Sequence, residues 1–407
     1  MHQLFVKLLC CLFFCSNILY AQRACSEDAK GYSPTIHALV LEWMQSNNPP
    51  NPRGVEATQM NIPIVFHVVY NTPQENLADS FLISQVQVLN EDFQRLNADS
   101  INTPAAFDSL AGGWNVTFRL ANVDPNGSPT NGIHRVSTNV AAFMACDDVK
   151  FSADGGADAW LPDYYLNIWV CNLGNGYIGQ GQYPGGSPIT DGIVLDYEVV
   201  GRNGLVPPYD KGRTATHELG HYFGLIHIWG ANMNSCTSED SISDTPSQYT
   251  ATLGCPQGIV TDACTNGIMY MNYMDYTDDA CMNLFTQQQI SRMFLTLNAV
   301  RSSLINSFGY NDAQTSSLPS SQEKDLQLFL YPNPVQNTLQ VEIKGENVKE
   351  ISLTLTDALG KIYEKRNIPQ LFSGDLQQFE VAHLASGLYF LQIETHGKKV
   401  VQKFVKG

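Results

Sequence analysis

The chain has 407 residues, more than one ordinary domain, and 43% of them are hydrophobic, which is enough for a sizeable core. Its formal net charge of −16 at pH 7 argues against nucleic acid or an anionic membrane as a partner, because both would repel such a surface.

Residues 1–21 read as a signal peptide. Lys7 supplies positive charge, Leu8 to Cys15 form an apolar core, and Ala21 offers a small residue for cleavage before Gln22. The apolar run is far too short to span a bilayer, so an exported chain without a transmembrane segment is expected. Cleavage removes Cys10, Cys11 and Cys15 from the ten cysteines and leaves seven. Export favours disulfides, and Cys236, Cys255, Cys264 and Cys281 bracket a region bearing glycine and proline; the sequence alone allows three pairings of these four. Residues 22–53 are polar and proline-containing around one amphipathic stretch, IHALVLEWM, as a propeptide would be, and Arg53 and Gly54 offer a cut site.

From 54 to 306 the pattern is that of a mixed α/β domain. NIPIVFHVVYN is a β-branched apolar run typical of a buried strand, and SQVQVLNEDFQRLN carries a helical period. WNVTFRLANV, YLNIWVCNL and GIVLDYEVV read as three further strands. HELGHYFGLIH, residues 217 to 227, follows. His217 and His221 are four apart, so on a helix they share a face and can grip one metal ion. Glu218 falls beside them, where its carboxylate can take a proton from water activated at the metal and hand it to a leaving amine. Gly224 can adopt the left-handed conformation that ends a helix and brings His227 back as a third ligand. Three histidines leave one tetrahedral position open, as a catalytic rather than a structural zinc site requires, and the expected chemistry is hydrolysis. Cys25, in QRAC near the start of the exported chain, can fill that open position as a thiolate and hold the site latent; a stray or paired cysteine is the alternative. TQQQISRMFLTLNAVRSSLI, from 286, reads as a closing helix.

Beyond 306 the character changes. Residues 307–325 are serine-rich and polar, as in a linker. From 326 to 407 short apolar runs alternate with turns, which suggests a small all-β sandwich of about seven strands.

HExxHxxGxxH is the metzincin signature, and it anticipates a methionine in a tight turn downstream; Met274 in NYMDY is the candidate. GRTATHELGHYFGLIHIWG, YLNIWVCNL, GQYPGG, SDTP and NYMDYTDDACMNLFT together resemble the microbial members of the pappalysin family of metzincins, over about residues 55 to 305. The resemblance implies an α+β catalytic domain with a twisted mixed sheet, a zinc-binding helix and a Met-turn, acting as a zinc endopeptidase on protein and peptide substrates. It assigns His217, His221 and His227 to zinc, Glu218 as base and acid, Met274 to the Met-turn and Tyr276 to the tetrahedral intermediate. It further implies an edge strand in YIGQGQY that binds extended peptides, with Tyr177, Gly179, Gln180 and Gly181 contributing. It also implies disulfides Cys236–Cys264 and Cys255–Cys281, a structural calcium at Asp244, and a cysteine switch at Cys25, although Ser26 stands where relatives have glycine. Ala280 stands where microbial relatives place the aspartate that favours arginine or lysine after the scissile bond; Asp278 and Asp279 are nearby acids. YPNPVQNTLQV, Asp357 with Gly360, Gly387 to Tyr389 and KKVVQKFVKG resemble the C-terminal sorting domain of the type IX secretion system of Bacteroidota, whose machinery becomes an expected partner. A surface binding protein on an inactive metzincin scaffold is the competing function, but such proteins lose the base or a ligand, and none is missing here.

Overall fold

The computed structural model describes residues 60–174, 176–202, 207–310, 327–344, 348–357, 361–371, 375–395 and 398–407. The expected signal peptide, propeptide, Cys25, the Arg53–Gly54 cut site and Gly360 lie outside these residues, as do 311–325 of the expected linker and residue 326.

The domain expected to be catalytic is built on a six-stranded sheet. Strand β1 (Met60–Tyr70) runs through its centre, and helix α1 (Asp79–Gln94) follows. Strands β2 (Val116–Leu120) and β3 (Ile133–Ser137) pair in parallel with successive halves of one edge of β1. On the other edge come β4 (Leu166–Cys171), β5 (Gly179–Gly181) and β6 (Ile193–Asp196), in the order β2-β1-β4-β6-β5. All pairings are parallel except β5 with β6. A parallel sheet is covered on both faces, which is why β1 and β4 are almost continuously apolar. Ile62, Ile64, Phe66 and Val68 alternate onto the face that carries α1 and the histidine helix, while Val69 joins Trp169, Cys171 and Val194 on the opposite face.

Helix α2 (Arg213–Tyr222) bears the histidine motif, and all ten of its residues are buried. Leu219 and Phe223 pack with Leu89, Phe93 and Trp114 in the main core; burying side chains of this size contributes about 1.5–3 kcal/mol each. Helix α3 (Gln287–Val300) closes the domain and opens with a capping box between Thr286 and Gln289.

The strand ordering follows the sequence reading, with two differences. The periodic segment from Ser84 becomes a helix that starts at Asp79 and stops at Gln94, because Arg95 turns left-handed at φ 55°. Strand β3 was not anticipated: its residues, IHRVS, are only partly buried and offer no apolar run. The domain boundary also moves. Ser307 donates to Tyr164 O at 2.6 Å and Asn122 N–H to Gly309 O at 3.0 Å, so 307–310 pack on the N-terminal α/β domain instead of beginning a linker.

The C-terminal region is an antiparallel sandwich of seven strands: β7 (Gln327–Tyr331), β8 (Thr338–Lys344), β9 (Val348–Asp357), β10 (Ile362–Leu371), β11 (Asp375–Glu380), β12 (Gly387–Thr395) and β13 (Lys398–Lys406). One sheet runs β11-β8-β7 and the other β10-β9-β12-β13. Leu339, Val341, Leu353, Leu355, Leu391 and Phe404 meet between them.

Candidate metal centre

Three imidazoles from one short stretch converge. His217 and His221 lie one turn apart on α2, which ends at Tyr222. Gly224 then takes φ +89°. Gly224 N–H donates to His221 O and Leu225 N–H to Gly220 O, both at 2.9 Å, the pair of bonds that closes a left-handed helix end. A side chain at 224 would be strained by that φ and would meet Thr296 Oγ1 at 2.9 Å. The turn delivers His227, whose Nε2 lies 3.2 Å from His221 Nε2, itself 3.1 Å from His217 Nε2. A tetrahedral zinc with bonds of about 2.0–2.1 Å holds its nitrogens about 3.3 Å apart, so the spacing suits one ion. Among the described residues these three form the sole group of three or more His, Cys, Asp or Glu with ligand atoms so placed.

The second nitrogen of each ring matters as much. His217 Nδ1–H donates to Tyr273 O at 2.7 Å and His221 Nδ1–H to Leu225 O at 2.9 Å, which turns both Nε2 lone pairs inward. Burial lowers the pKa of His221 to about 4 and that of His227 well below the ordinary value, so neutral imidazoles face a metal at neutral pH.

Met274 lies under this centre. It is fully buried, and a Cβ built on Gly220 would sit 2.3 Å from its Sδ. The turn that holds it is fixed by Asn272, whose Oδ1 accepts Met274 N–H at 2.9 Å and whose amide exchanges bonds with Gln289. Tyr276 stands beside the triad, its ring centroid 4.9 Å from His227 and 5.6 Å from His217.

Strand β5 crosses directly over α2. A Cβ at Gly179 would lie 2.8 Å from Glu218 Oε1, and one at Gly181 would lie 2.2 Å from Glu218 O. The GQG sequence therefore lets the sheet edge touch the residue beside the metal. Asp196 N–H donates to Ile178 O and Gln182 N–H to Gly192 O, so the even-numbered residues bond to β6. By the alternation of antiparallel pairing, the backbone groups of Gly179 and Gly181 face the outer side of this edge strand. Gln180 alternates to the face away from α2, with Oε1 buried and lacking a hydrogen-bond partner.

Other expected site residues are placed elsewhere. Tyr177 packs with Trp169 and Val194 behind the sheet, because it lies in the turn before β5 and not in the strand itself. Asp279 is buried and accepts Lys211 N–H at 2.9 Å and Arg213 N–H at 3.2 Å, so it caps the start of α2 and is not an acid at the base of a pocket. Ala280 is exposed and Asp278 half-buried. Asp244 accepts from Thr286 Oγ1 at 2.6 Å and Gln288 N–H at 3.0 Å, at the N-terminus of α3. Cys236 is bonded to Cys264 and Cys255 to Cys281. Cys171 is a buried free thiol, and Cys146 takes part in a disulfide, so the two do not pair with each other.

Two supports went unread in the sequence. Trp229 stacks on His227 with centroids 4.4 Å apart and meets Tyr276 edge-on at 4.8 Å, which ties ligand and tyrosine together. Arg213 is buried at the start of α2; it donates to Tyr273 Oη and Met282 O, each at 2.8 Å, and pairs with Asp92 and Asp99. It thus joins the histidine helix to the turn that holds Met274. A tryptophan two residues after the last ligand and an arginine four before the first were the available signals, but neither residue type announces such a role.

Known proteins agree with this geometry. The family model described as pregnancy-associated plasma protein-A matches residues 149–298, and that of a secretion system C-terminal sorting domain matches 329–407. An extracellular metalloprotease of Trichophyton verrucosum is 31% identical over 310 residues, spanning 73% of this chain and 98% of the relative. The chain belongs to the pappalysin family. Among solved structures, mature mirolysin of Tannerella forsythia in complex with a cleaved peptide is 53% identical, covering 58% of this chain and 91% of its own at a TM-score of 0.57. A promirolysin variant from the same organism is 48% identical, covering 67% and 92% at 0.61. This pappalysin is therefore a metalloendopeptidase with a catalytic metal, and its sorting domain and extracellular relatives make it a secreted or cell-surface protein. No described helix is long and apolar enough to cross a membrane.

Proposed function

We propose that the metal is zinc, held by His217, His221 and His227, and that Glu218 is the general base and acid of peptide hydrolysis. The observation that carries this reading is the convergence of the three histidines' ligand atoms within 4.8 Å of one another with Glu218 on the same helix, one residue after the first ligand. Bound zinc would polarise the scissile carbonyl and acidify water. Glu218 takes the proton from the attacking water and returns it to the leaving amine. Tyr276 directs its hydroxyl at the developing oxyanion. The outward backbone groups of Gly179 and Gly181 pair with an extended substrate, which gives affinity with little sequence choice. Choice then rests on the pocket after the scissile bond. With Asp279 committed to α2, Asp278 is the acid that would favour arginine or lysine there.

The enzyme is made as a zymogen, with residues 1–21 removed on export and 22–53 as a propeptide in which Cys25 acts as the latency ligand; a promirolysin among the similar proteins supports a pro-form. The type IX machinery reads residues 326–407. A structural calcium at Asp244 is the second ion. Burial raises the pKa of Asp244, and that of nearby Asp240 to about 7, and a divalent cation would relieve both carboxylates. Chelation of the purified, propeptide-free protein should abolish casein cleavage, and stoichiometric zinc should restore it. Cleavage that persists without metal would overturn the reading.

A further inference from the structure

The phenol of Tyr183 sits against a metal ligand. Its Oη is 3.0 Å from His221 Nδ1, the nitrogen that also faces Leu225 O at 2.9 Å. The His221 Nδ1–H is thus shared between a carbonyl and a hydroxyl oxygen. Tyr183 is 5% exposed, and its ring lies 5.1 Å from the imidazole. The chain around it is fixed. Gly181, two residues earlier, approaches so closely that an added Cβ would lie 3.1 Å from His221 Cβ. Gln182, next to it, donates to Ser187 O at 2.8 Å and Asp191 Oδ1 at 3.2 Å and accepts from Thr190 Oγ1 at 2.7 Å. The phenol is therefore presented to His221 by an anchored loop.

We propose that Tyr183 is a positioning residue that holds His221 in its metal-binding orientation and so governs how long the metal is retained. Partners on the non-coordinating nitrogen of a ligand histidine fix the ring and raise its basicity, and removing one costs about 10–100-fold in metal affinity. Because Tyr183 follows the substrate-pairing strand by two residues, the element that receives the peptide is continuous with the one that steadies the metal. The proposal rests on the triad holding zinc.

The test uses the full chain loaded with zinc. Release of zinc to a colorimetric chelator is timed for wild type, Tyr183→Phe and Tyr222→Phe, alongside thermal melting of each metal-free protein. Tyr222 is a buried tyrosine of α2 whose hydroxyl goes instead to Asp191. Tyr183→Phe should release zinc about 10–100-fold faster with metal-free melting unchanged, whereas Tyr222→Phe should release it at the wild-type rate. Equal release from Tyr183→Phe and wild type would overturn the proposal. So would faster release matched by a fall in metal-free melting, since that marks a purely structural residue. Wild type that takes up no zinc would instead overturn the metal reading beneath it.

Discussion

Gly220 of the histidine helix and Met274 of the downstream turn are in direct contact, and the glycine exists for the methionine: a Cβ on Gly220 would lie 2.3 Å from Met274 Sδ. The floor of the metal centre is thus a packing between the middle of HELGH and a residue far along the chain. Alanine at an ordinary helix position is favoured over glycine by about 0.5–1 kcal/mol. Here Gly220→Ala should instead destabilise by about 1–3 kcal/mol through overpacking, read by urea unfolding. Combining it with Met274→Ala should recover part of the loss, because the two substitutions share one space.

The contact between β5 and Glu218 makes a second prediction. Gly179→Ala places a methyl within 2.8 Å of Glu218 Oε1 and 2.9 Å of its Cγ. The variant should retain zinc, since no ligand is touched, while kcat falls about 100-fold, as displacement of a reacting group by about 1 Å commonly does. Parallel measurement of bound zinc and peptide turnover checks this; unchanged kcat would show that the carboxylate is not positioned by the strand.

These two glycines mark the limit of what the sequence made legible. HELGHYFGLIH declared its ligands and base because helical periodicity and a glycine turn translate spacing into geometry. Strands β1, β2, β4 and β6 were equally clear, since a doubly covered parallel sheet leaves nearly unbroken apolar runs. Roles set by distant partners were not. Gly220, Gly179, Trp229 and Tyr183 matter through what lies opposite them, and Asp279, one of two nearby acids for the pocket, instead holds the N–H groups of Lys211 and Arg213 at the entry to α2. Strand β3 was missed because it is half-exposed, and Tyr177 was assigned to the cleft although the turn before β5 packs it behind the sheet.

Stability at acid pH should depend on His67. It is fully buried, stacks on Trp169, and its Nε2–H donates to Asn167 Oδ1 at 2.9 Å. Burial lowers its pKa from 6.5 to about 3. A depressed folded-state pKa means that the unfolded chain takes up the proton first. Its contribution is therefore present above pH 6.5 and is lost as the pH falls toward 3, at up to about 1.4 kcal/mol per pH unit. Urea unfolding between pH 4 and 8 should show a shallower acid slope in His67→Gln than in wild type. Identical slopes would contradict this origin.

Substrate choice should follow Asp278. Profiling of a proteome-derived peptide library should show arginine and lysine enriched after the scissile bond, and Asp278→Asn should reduce that enrichment about fivefold, as expected for loss of one partly exposed charge contact of about 1 kcal/mol. A wild-type profile favouring apolar residues would remove Asp278 from the pocket.

The central claim is that Glu218 moves the protons while the three histidines hold the metal. Glu218→Gln in the propeptide-free protein tests it most directly, with bound zinc and peptide-library cleavage measured on the same sample. The account predicts one zinc per chain, wild-type melting, and cleavage reduced by at least about 1,000-fold. A zinc-loaded Glu218→Gln enzyme that cleaves at the wild-type rate would contradict it.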